Sequence, residues 1–221
     1  DDIRGEFAKG YLEQMITDKG GNVIGVPGYS GYLAFWVNQK IMDNAGITSI
    51  DTKEDFKKYM SAASVNGTYG YGGSWEKTYV FNEIAQFVNM FGGDYFDWTR
   101  PENKEAIQFL YDMVKNNETP IDQIADKYEQ MNPKANDGKY GCWFMWGLGS
   151  DYQKSGMLGD DKIHMAMVPS MTDDGNRAIF TDSWSYVLNS ASKNKEAAIK
   201  FLKYMASEGG MEASYKYFDR Y

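Results

Sequence analysis

Apolar side chains recur along this chain with two periods, 3.6 and 2, and each change of period marks the boundary between a helix and a strand. Ile3, Phe7, Tyr11 and Met15 are spaced by four, which predicts a short amphipathic helix over 1–18 ending at Lys19-Gly-Gly21, where a glycine takes the left-handed cap. Two β-rich runs follow in 22–38. Pro27, Gly28 and Gly31 interrupt them, so a sharp bend is expected with Tyr29 and Tyr32 beside it. Thr52-Lys-Glu-Asp55 has the form of a capping box with Asp in the usual Glu place, and Phe56, Tyr59, Met60 and Ala63 supply the buried stripe after it. Ile84, Phe87, Val88 and Phe91 give a second core stripe, stopped by Gly92-Gly93. Pro101 suits the first position of a helix carrying Ala106, Ile107, Leu110, Tyr111 and Val114. Asn132 is expected to cap a short helix opening at Pro133, leading to a buried strand over 140–146. Residues 163–169 read as a strand ending at Pro169, and 171–176 as a turn. Trp184, Tyr186 and Leu188 alternate with Ser185 and Val187, the period of a strand with one special face. Asn194 then serves as the N-cap of a docked helix with Glu196 in its first turn and Ala198, Phe201, Leu202 and Met205 as its stripe; Gly209-Gly210 opens another helix.

Composition narrows the chemistry. With 221 residues and 43% hydrophobic content the chain can build one large domain or two small ones. A net charge of −8 argues against nucleic acid or an anionic membrane as partner and suits a neutral or cationic ligand. Six Trp and seventeen Tyr favour a ligand with apolar faces and hydroxyls. The single cysteine, Cys142, cannot form an intrachain disulfide and reads as core. His164, the one histidine, has no His or Cys partner at ligand spacing, so no metal site is expected, and it reads as a strand residue with a satisfied ring nitrogen. The glycine-rich loop 67–79 holds four aromatics and one carboxylate but fits neither GxxxxGK[ST] nor GxGxxG, which argues against a phosphate cradle. Asp173 and Asp174 lack the pattern of a calcium loop. The sequence holds no long apolar run and no charged-then-apolar leader, so neither a membrane span nor a signal peptide is expected in it; an exported protein would have lost its leader.

Ser192-Lys-Asn-Lys-Glu-Ala-Ala-Ile-Lys-Phe-Leu202 resembles the SKNKEAA-x-x-FL segment of the extracellular solute-binding proteins that feed ABC importers, the superfamily that includes maltose-binding protein. Other segments resemble that family in the same order along nearly the whole chain. The stretch from Asn22 to Asn38, with Val37-Asn-Gln-Lys40 close to the usual ending, is similar to its G-x-x-x-(V/I)-P … Y-N-K stretch, and Met42-Asp-Asn-Ala-Gly-Ile47 to its (F/L)-x-x-A-G-I. Phe91-Gly-Gly-Asp94, the helix from Pro101 and Ile163-His-Met-Ala-Met-Val-Pro169 also have counterparts. Two segments depart from the pattern: Gly141-Cys-Trp143 stands where Ala-Met is common, and in 144–149 Trp146 precedes Gly147 while the later aromatic position is Gly149.

The resemblance implies an α/β, two-lobed periplasmic-binding-protein-like fold of class II whose first lobe is incomplete in this chain. Residues 1–38 would form part of the first lobe, 39–178 the second, and 179–221 a crossover strand with helices returning to the first. Family members carry further elements before Asp1 and after Tyr221, which implies an incomplete protein. The resemblance places Tyr29, Tyr32, Trp75, Glu76, Tyr79, Trp146, Asp182 and Trp184 along a ligand cleft, the aromatics as platforms for sugar rings, Glu76 and Asp182 as acceptors for hydroxyls. It implies a monomeric, cofactor-free and non-enzymatic protein that delivers a carbohydrate, an oligosaccharide, to the permease subunits of an ABC importer. Such a protein is extracellular, as a cell-surface lipoprotein or in a periplasm. Two alternatives stay open: the same fold binding a polyamine, an amino-acid derivative or a glycerophosphodiester, and a glycoside-processing enzyme using Glu76 and Asp182 as its carboxylate pair.

Overall fold

The computed structural model describes residues 12, 17–18, 20–147 and 150–218. Two compact units are present, Tyr32–Phe180 on the one hand and Asp1–Gly31 with Thr181–Tyr221 on the other. The stripe Ile3, Phe7, Tyr11 and Met15 lies outside the described residues, as does Gly149; Leu12 is helical and buried.

The larger unit is built on a mixed sheet. Strand β1 (Val26–Asn38) enters it, β2 is Tyr69–Gly72, β3 Tyr140–Trp146 and β4 Ile163–Ala166, in the order β2-β3-β1-β4. β1 is antiparallel to β3 and β4, with Phe35 opposite Phe144 and Ala166, and β2 runs parallel to β3. Leu33-Ala-Phe-Trp-Val37 is buried without interruption because both faces of the sheet are covered. One face carries Leu33, Phe35, Val37, Cys142 and Phe144. Against it pack α1 (Gln39–Asn44), α2 (Lys53–Ala63), α3 (Val80–Met90) and α4 (Pro101–Lys115), through Met42, Phe56, Phe87 and Phe109 among others. The other face carries Ala34, Trp36, Trp143 and Met145, covered by Met131 and Ala135 of α5 (Tyr128–Asn136) and by Tyr152 of α6 (Ser150–Lys154). Cys142 is wholly buried, and burial pushes its thiol well above the ordinary range.

Several local expectations meet their structure here. Thr52 Oγ1 accepts the Asp55 N–H and Asp55 Oδ2 accepts the Thr52 N–H, each at 3.1 Å, so the capping box is complete and Phe56, Tyr59, Met60 and Ala63 are buried beneath it. Pro101 opens α4, but the buried stripe is Ala106, Phe109, Leu110 and Met113, while Ile107 and Tyr111 are 38% and 60% exposed. Ile84 is half-buried rather than core. Residues 67–79 are not all loop, since β2 begins two residues into them. Asn132 does not cap a helix; α5 opens at Tyr128, the Lys127 N–H is taken by Gln130 Oε1 at 3.1 Å, and Pro133 lies inside the helix. His164 sits in β4 opposite Val37 as expected of a strand residue, yet its Nδ1 is shielded and has no hydrogen-bond partner.

The smaller unit contains the first residues of β1, strand β5 (Thr181–Tyr186), which pairs with β1, and helices α7 (Lys195–Ala206) and α8 (Glu208–Phe218), which pack on each other. β1 is one continuous strand, so Pro27, Gly28 and Gly31 do not break it. The φ fixed by Pro27 is compatible with extended backbone. Gly28 is required for approach rather than for a turn: a Cβ there would stand 3.0 Å from the Tyr186 ring and 3.1 Å from the Trp184 carbonyl oxygen. β5 begins before Trp184 and ends at Tyr186, leaving Leu188 outside it. The α7 stripe is also narrower than expected. Ala198, Leu202 and Met205 are half-buried and Ala206 buried, but Phe201 is 58% exposed. Asn194 makes no side-chain cap; its own N–H donates to Ser192 Oγ at 3.2 Å.

Candidate functional site

Each unit gathers its own share of the sequence-nominated residues. In the smaller unit Tyr29 and Trp184 stand on neighbouring strands with ring centroids 5.9 Å apart and planes 10° from parallel. Trp184 is 59% exposed, so Tyr29 supports it without hiding it. Two residues back along β5, on the same side by the strand period, Asp182 Oδ2 accepts the Trp184 indole N–H at 3.0 Å. Asp182 Oδ1 is shielded from solvent and accepts no hydrogen bond. The three residues form an aromatic platform with an acceptor at its edge.

In the larger unit Tyr79 and Trp146 are brought together, and Trp75 is fixed, by residues that the sequence reading passed over, whereas Glu76 bonds within its own turn. Tyr128, at the first turn of α5, accepts Asn82 Nδ2–H at 2.9 Å and the Trp146 indole N–H at 3.0 Å. Its ring meets Tyr79 edge-on at a centroid distance of 4.4 Å. Burial raises the Tyr128 hydroxyl to about 12, so it keeps its proton at neutral pH, and with two N–H groups already on its oxygen it is left as a donor. Trp146 also packs against Phe180, with centroids 6.2 Å apart. Tyr32 is 43% exposed; its ring lies on Gly147, where a Cβ would come within 2.6 Å of it, and its hydroxyl reaches Met165 Sδ at 3.9 Å.

Trp75 is fixed by Glu83. That buried carboxylate accepts the Tyr71 hydroxyl at 2.5 Å, the Ser74 N–H at 2.7 Å and the Trp75 indole N–H at 2.9 Å. Burial raises the Glu83 carboxyl above its usual range, and the three donors oppose the shift. Gly73 has no room for a side chain, since a Cβ would sit 2.6 Å from both Glu83 Oε2 and Trp75 Nε1. Glu76 serves its own turn: its carboxylate takes the Thr78 N–H at 2.9 Å and the Thr78 hydroxyl, and these bonds hold it below the usual carboxylate range. Asn82 and Glu83 were legible in principle. Both are polar residues on a helix whose neighbours are apolar, and a half-buried indole N–H nearby calls for an acceptor. Tyr128 had a weaker signal, the Met131 and Ala135 spacing that extends α5 back toward it.

These side chains offer flat apolar faces edged by hydroxyl, amide and carboxylate groups, an arrangement suited to a neutral polyhydroxylated molecule. Among the described residues no group of three or more His, Cys, Asp and Glu could hold a metal ion, and no helix is long and apolar enough to cross a membrane.

Comparison with known proteins gives a consistent picture. The sequence model of the family described as bacterial extracellular solute-binding protein matches residues 2–212. The arabinooligosaccharide-binding protein of Halalkalibacterium halodurans is 28% identical over 201 residues, covering 84% of this chain and 44% of that protein. A sugar transporter of Arthrobacter chlorophenolicus A6, solved with bound laminaribiose, superposes with a TM-score of 0.81 at 17% identity over 98% of this chain and 57% of its own. Maltose-bound MalE3 of T. maritima gives a TM-score of 0.75 at 20% identity over 95% of this chain and 56% of its own. The chain thus spans about half the length of these proteins. Its fold class is the α/β, two-lobed arrangement that they share.

Proposed function

Because the chain belongs to the bacterial extracellular solute-binding proteins, a family of binding proteins rather than enzymes, we propose that it captures a neutral oligosaccharide and delivers it to the permease subunits of an ABC importer. The observation that carries the sugar reading is the Trp184 platform: an indole backed by Tyr29, open to solvent, and pinned by a carboxylate with an unused oxygen. The C–H face of a pyranose is apolar, and covering some 60 to 80 Å² of it contributes roughly 1.5 to 2 kcal/mol. Asp182 Oδ1 is an unpaired acceptor with almost no accessible surface, so a ligand hydroxyl reaches it, and recovers the free energy its isolation costs, only when a neighbouring side chain shifts on binding. In the larger unit Tyr79, Tyr128 and Trp146 offer a second aromatic set, with the Tyr128 hydroxyl as donor. Tyr32, Trp75 and Glu76 complete the contact set we assign there. The relatives point the same way: one is named for arabinooligosaccharides, and two solved neighbours hold laminaribiose and maltose. We further propose that it works as a monomer outside the cytoplasm, as a surface lipoprotein or in a periplasm; the family's description as extracellular supports the location.

A thermal-shift and calorimetry series tests this with arabinooligosaccharides, maltose, laminaribiose, spermidine and glycerophosphocholine as ligands. A ligand that binds only the folded state raises the melting temperature in proportion to RT ln(1 + [L]/Kd). The expected result is a shift with at least one glycan, which chromatography then recovers unchanged. A shift with spermidine or the phosphodiester alone would replace the sugar reading, and a cleaved glycan would replace the binding reading with glycoside hydrolysis.

A further inference from the structure

Beside Tyr128 the outer face of α5 forms an open groove of about 340 Å³, lined by Tyr128, Glu129, Asn132, Pro133 and Asn136. Those residues stand at i, i+1, i+4, i+5 and i+8, so a single helical face builds the floor. We propose that this groove is a subsite for the further residues of a sugar chain whose first ring rests at Tyr128, and that it sets a preference for oligosaccharides longer than a disaccharide. The inference rests on the carbohydrate reading above and adds to it a direction and a length.

Four observations support it. First, the groove is continuous with the aromatic set, because Tyr128 belongs to both. Second, its lining has the chemistry of a glycan contact: one ring, one proline, two amides and one carboxylate, with no Lys or Arg to favour an anion. Third, the amides are braced from behind. The Trp143 indole N–H donates to the Tyr152 hydroxyl at 2.8 Å, and that hydroxyl donates to Asn132 Oδ1 at 3.1 Å. Ser155 Oγ lies 3.0 Å from both Asn136 Oδ1 and the Tyr152 carbonyl oxygen, which ties Asn136 to the turn after α6. Amides held in this way lose little conformational entropy on binding, which is the condition for a weak polar subsite to add affinity. Fourth, the volume falls near the lower end of the range for small-molecule sites, about 300–1,000 Å³, which gives room for roughly one or two sugar residues.

The test compares a disaccharide with the tri-, tetra- and pentasaccharide of the same series by calorimetry. The series is the one that shifts the melting temperature of the unaltered protein. Three proteins enter: the unaltered protein, Glu129→Ala/Asn136→Ala, and Glu129→Trp, which obstructs the groove. The unaltered protein is expected to tighten by about threefold to tenfold from disaccharide to tetrasaccharide. The double variant is expected to lose that gain while keeping its disaccharide Kd within twofold, and the obstructed variant to bind longer chains no better than the disaccharide. Melting temperatures without ligand check that both variants remain folded; Glu129 is exposed and Asn136 half-buried, and neither belongs to the core. A chain-length gain that survives in both variants overturns the groove assignment while leaving carbohydrate capture intact, as does a Kd independent of chain length in the unaltered protein. Failure of every glycan to bind overturns both.

Discussion

Two tryptophans of this chain are each held by a carboxylate, with opposite consequences. Asp182 pins Trp184 in the open, where removing the indole takes away the proposed ligand contact and little packing. Trp184→Ala is therefore expected to weaken glycan binding by about 10- to 30-fold, the equivalent of roughly 1.5 to 2 kcal/mol, with the ligand-free melting temperature almost unchanged. Calorimetry and thermal melting on the same sample separate the two effects. Glu83 holds Trp75 from within the core, and there the consequence is one of pH. Its folded-state carboxyl lies above the ordinary value of 4.5 because burial penalises the charge. Across that interval the folded protein binds the proton more tightly than the unfolded chain does. The stability this contributes is present below the ordinary value and lost as pH rises through the folded one. Urea denaturation at a series of pH values from about 4 to 8 should show a decline that Glu83→Gln, which has no proton to lose, flattens. If the two proteins share the same slope, the ionisation of Glu83 is not its source.

At the scale of elements, the features that close on themselves in sequence were the readable ones. The Thr52 and Asp55 capping box needs only residues within one turn, and it formed as the spacing required. Thr52→Ala should cost about 0.5–2 kcal/mol, read as a lower urea midpoint at unchanged slope. Elements whose form depends on a distant neighbour were misread. The glycine-rich stretch looked like a loop because glycine is permissive, yet the glycines of β2 are there for contact. A Cβ on Gly70 would stand 2.4 Å from the Met60 backbone of α2, and one on Gly72 would stand 2.2 Å from the Tyr140 ring. Gly70→Ala is expected to destabilise the larger unit by at least about 1–3 kcal/mol, because the obstructing atoms are backbone and cannot rotate away. Urea unfolding followed by Trp fluorescence measures it. In α4 the choice between the stripe with Ile107 and Tyr111 and the one with Phe109 and Met113 was a choice between two faces of one helix. Both have helical spacing, and the rings of Phe56, Phe87 and Phe91 packed against Phe109 select between them.

For the whole molecule the governing quantity is the net charge of −8 set against a ligand proposed to be uncharged. Glycan affinity should then be nearly independent of salt, with Kd changing less than twofold between about 0.05 and 0.5 M NaCl, whereas a bound polyamine would be screened and weaken severalfold over that range. Calorimetry at the two salt concentrations distinguishes them, and a strong salt dependence of glycan binding would show that charge, not stacking, dominates the site. What the sequence by itself determined was whatever local spacing and composition can encode. Within the described residues that includes the strand over 140–146, the capping box, the helix opening at Pro101, the buried Cys142, and an abundance of aromatic and hydroxyl groups suited to a polyhydroxylated ligand. The ordered series of matching segments also fixed the family. Tertiary structure decided which aromatics act together and what holds them. Tyr128, Asn82 and Glu83 are separated in sequence from Trp146, Tyr79 and Trp75 by 3 to 64 residues yet share hydrogen bonds or ring contacts with them, as Asn82 does through Tyr128. The period of a helix or a strand says which way a side chain points along its own element. Which partner it meets depends on the packing of that element against others, and no local pattern in the chain carries that information.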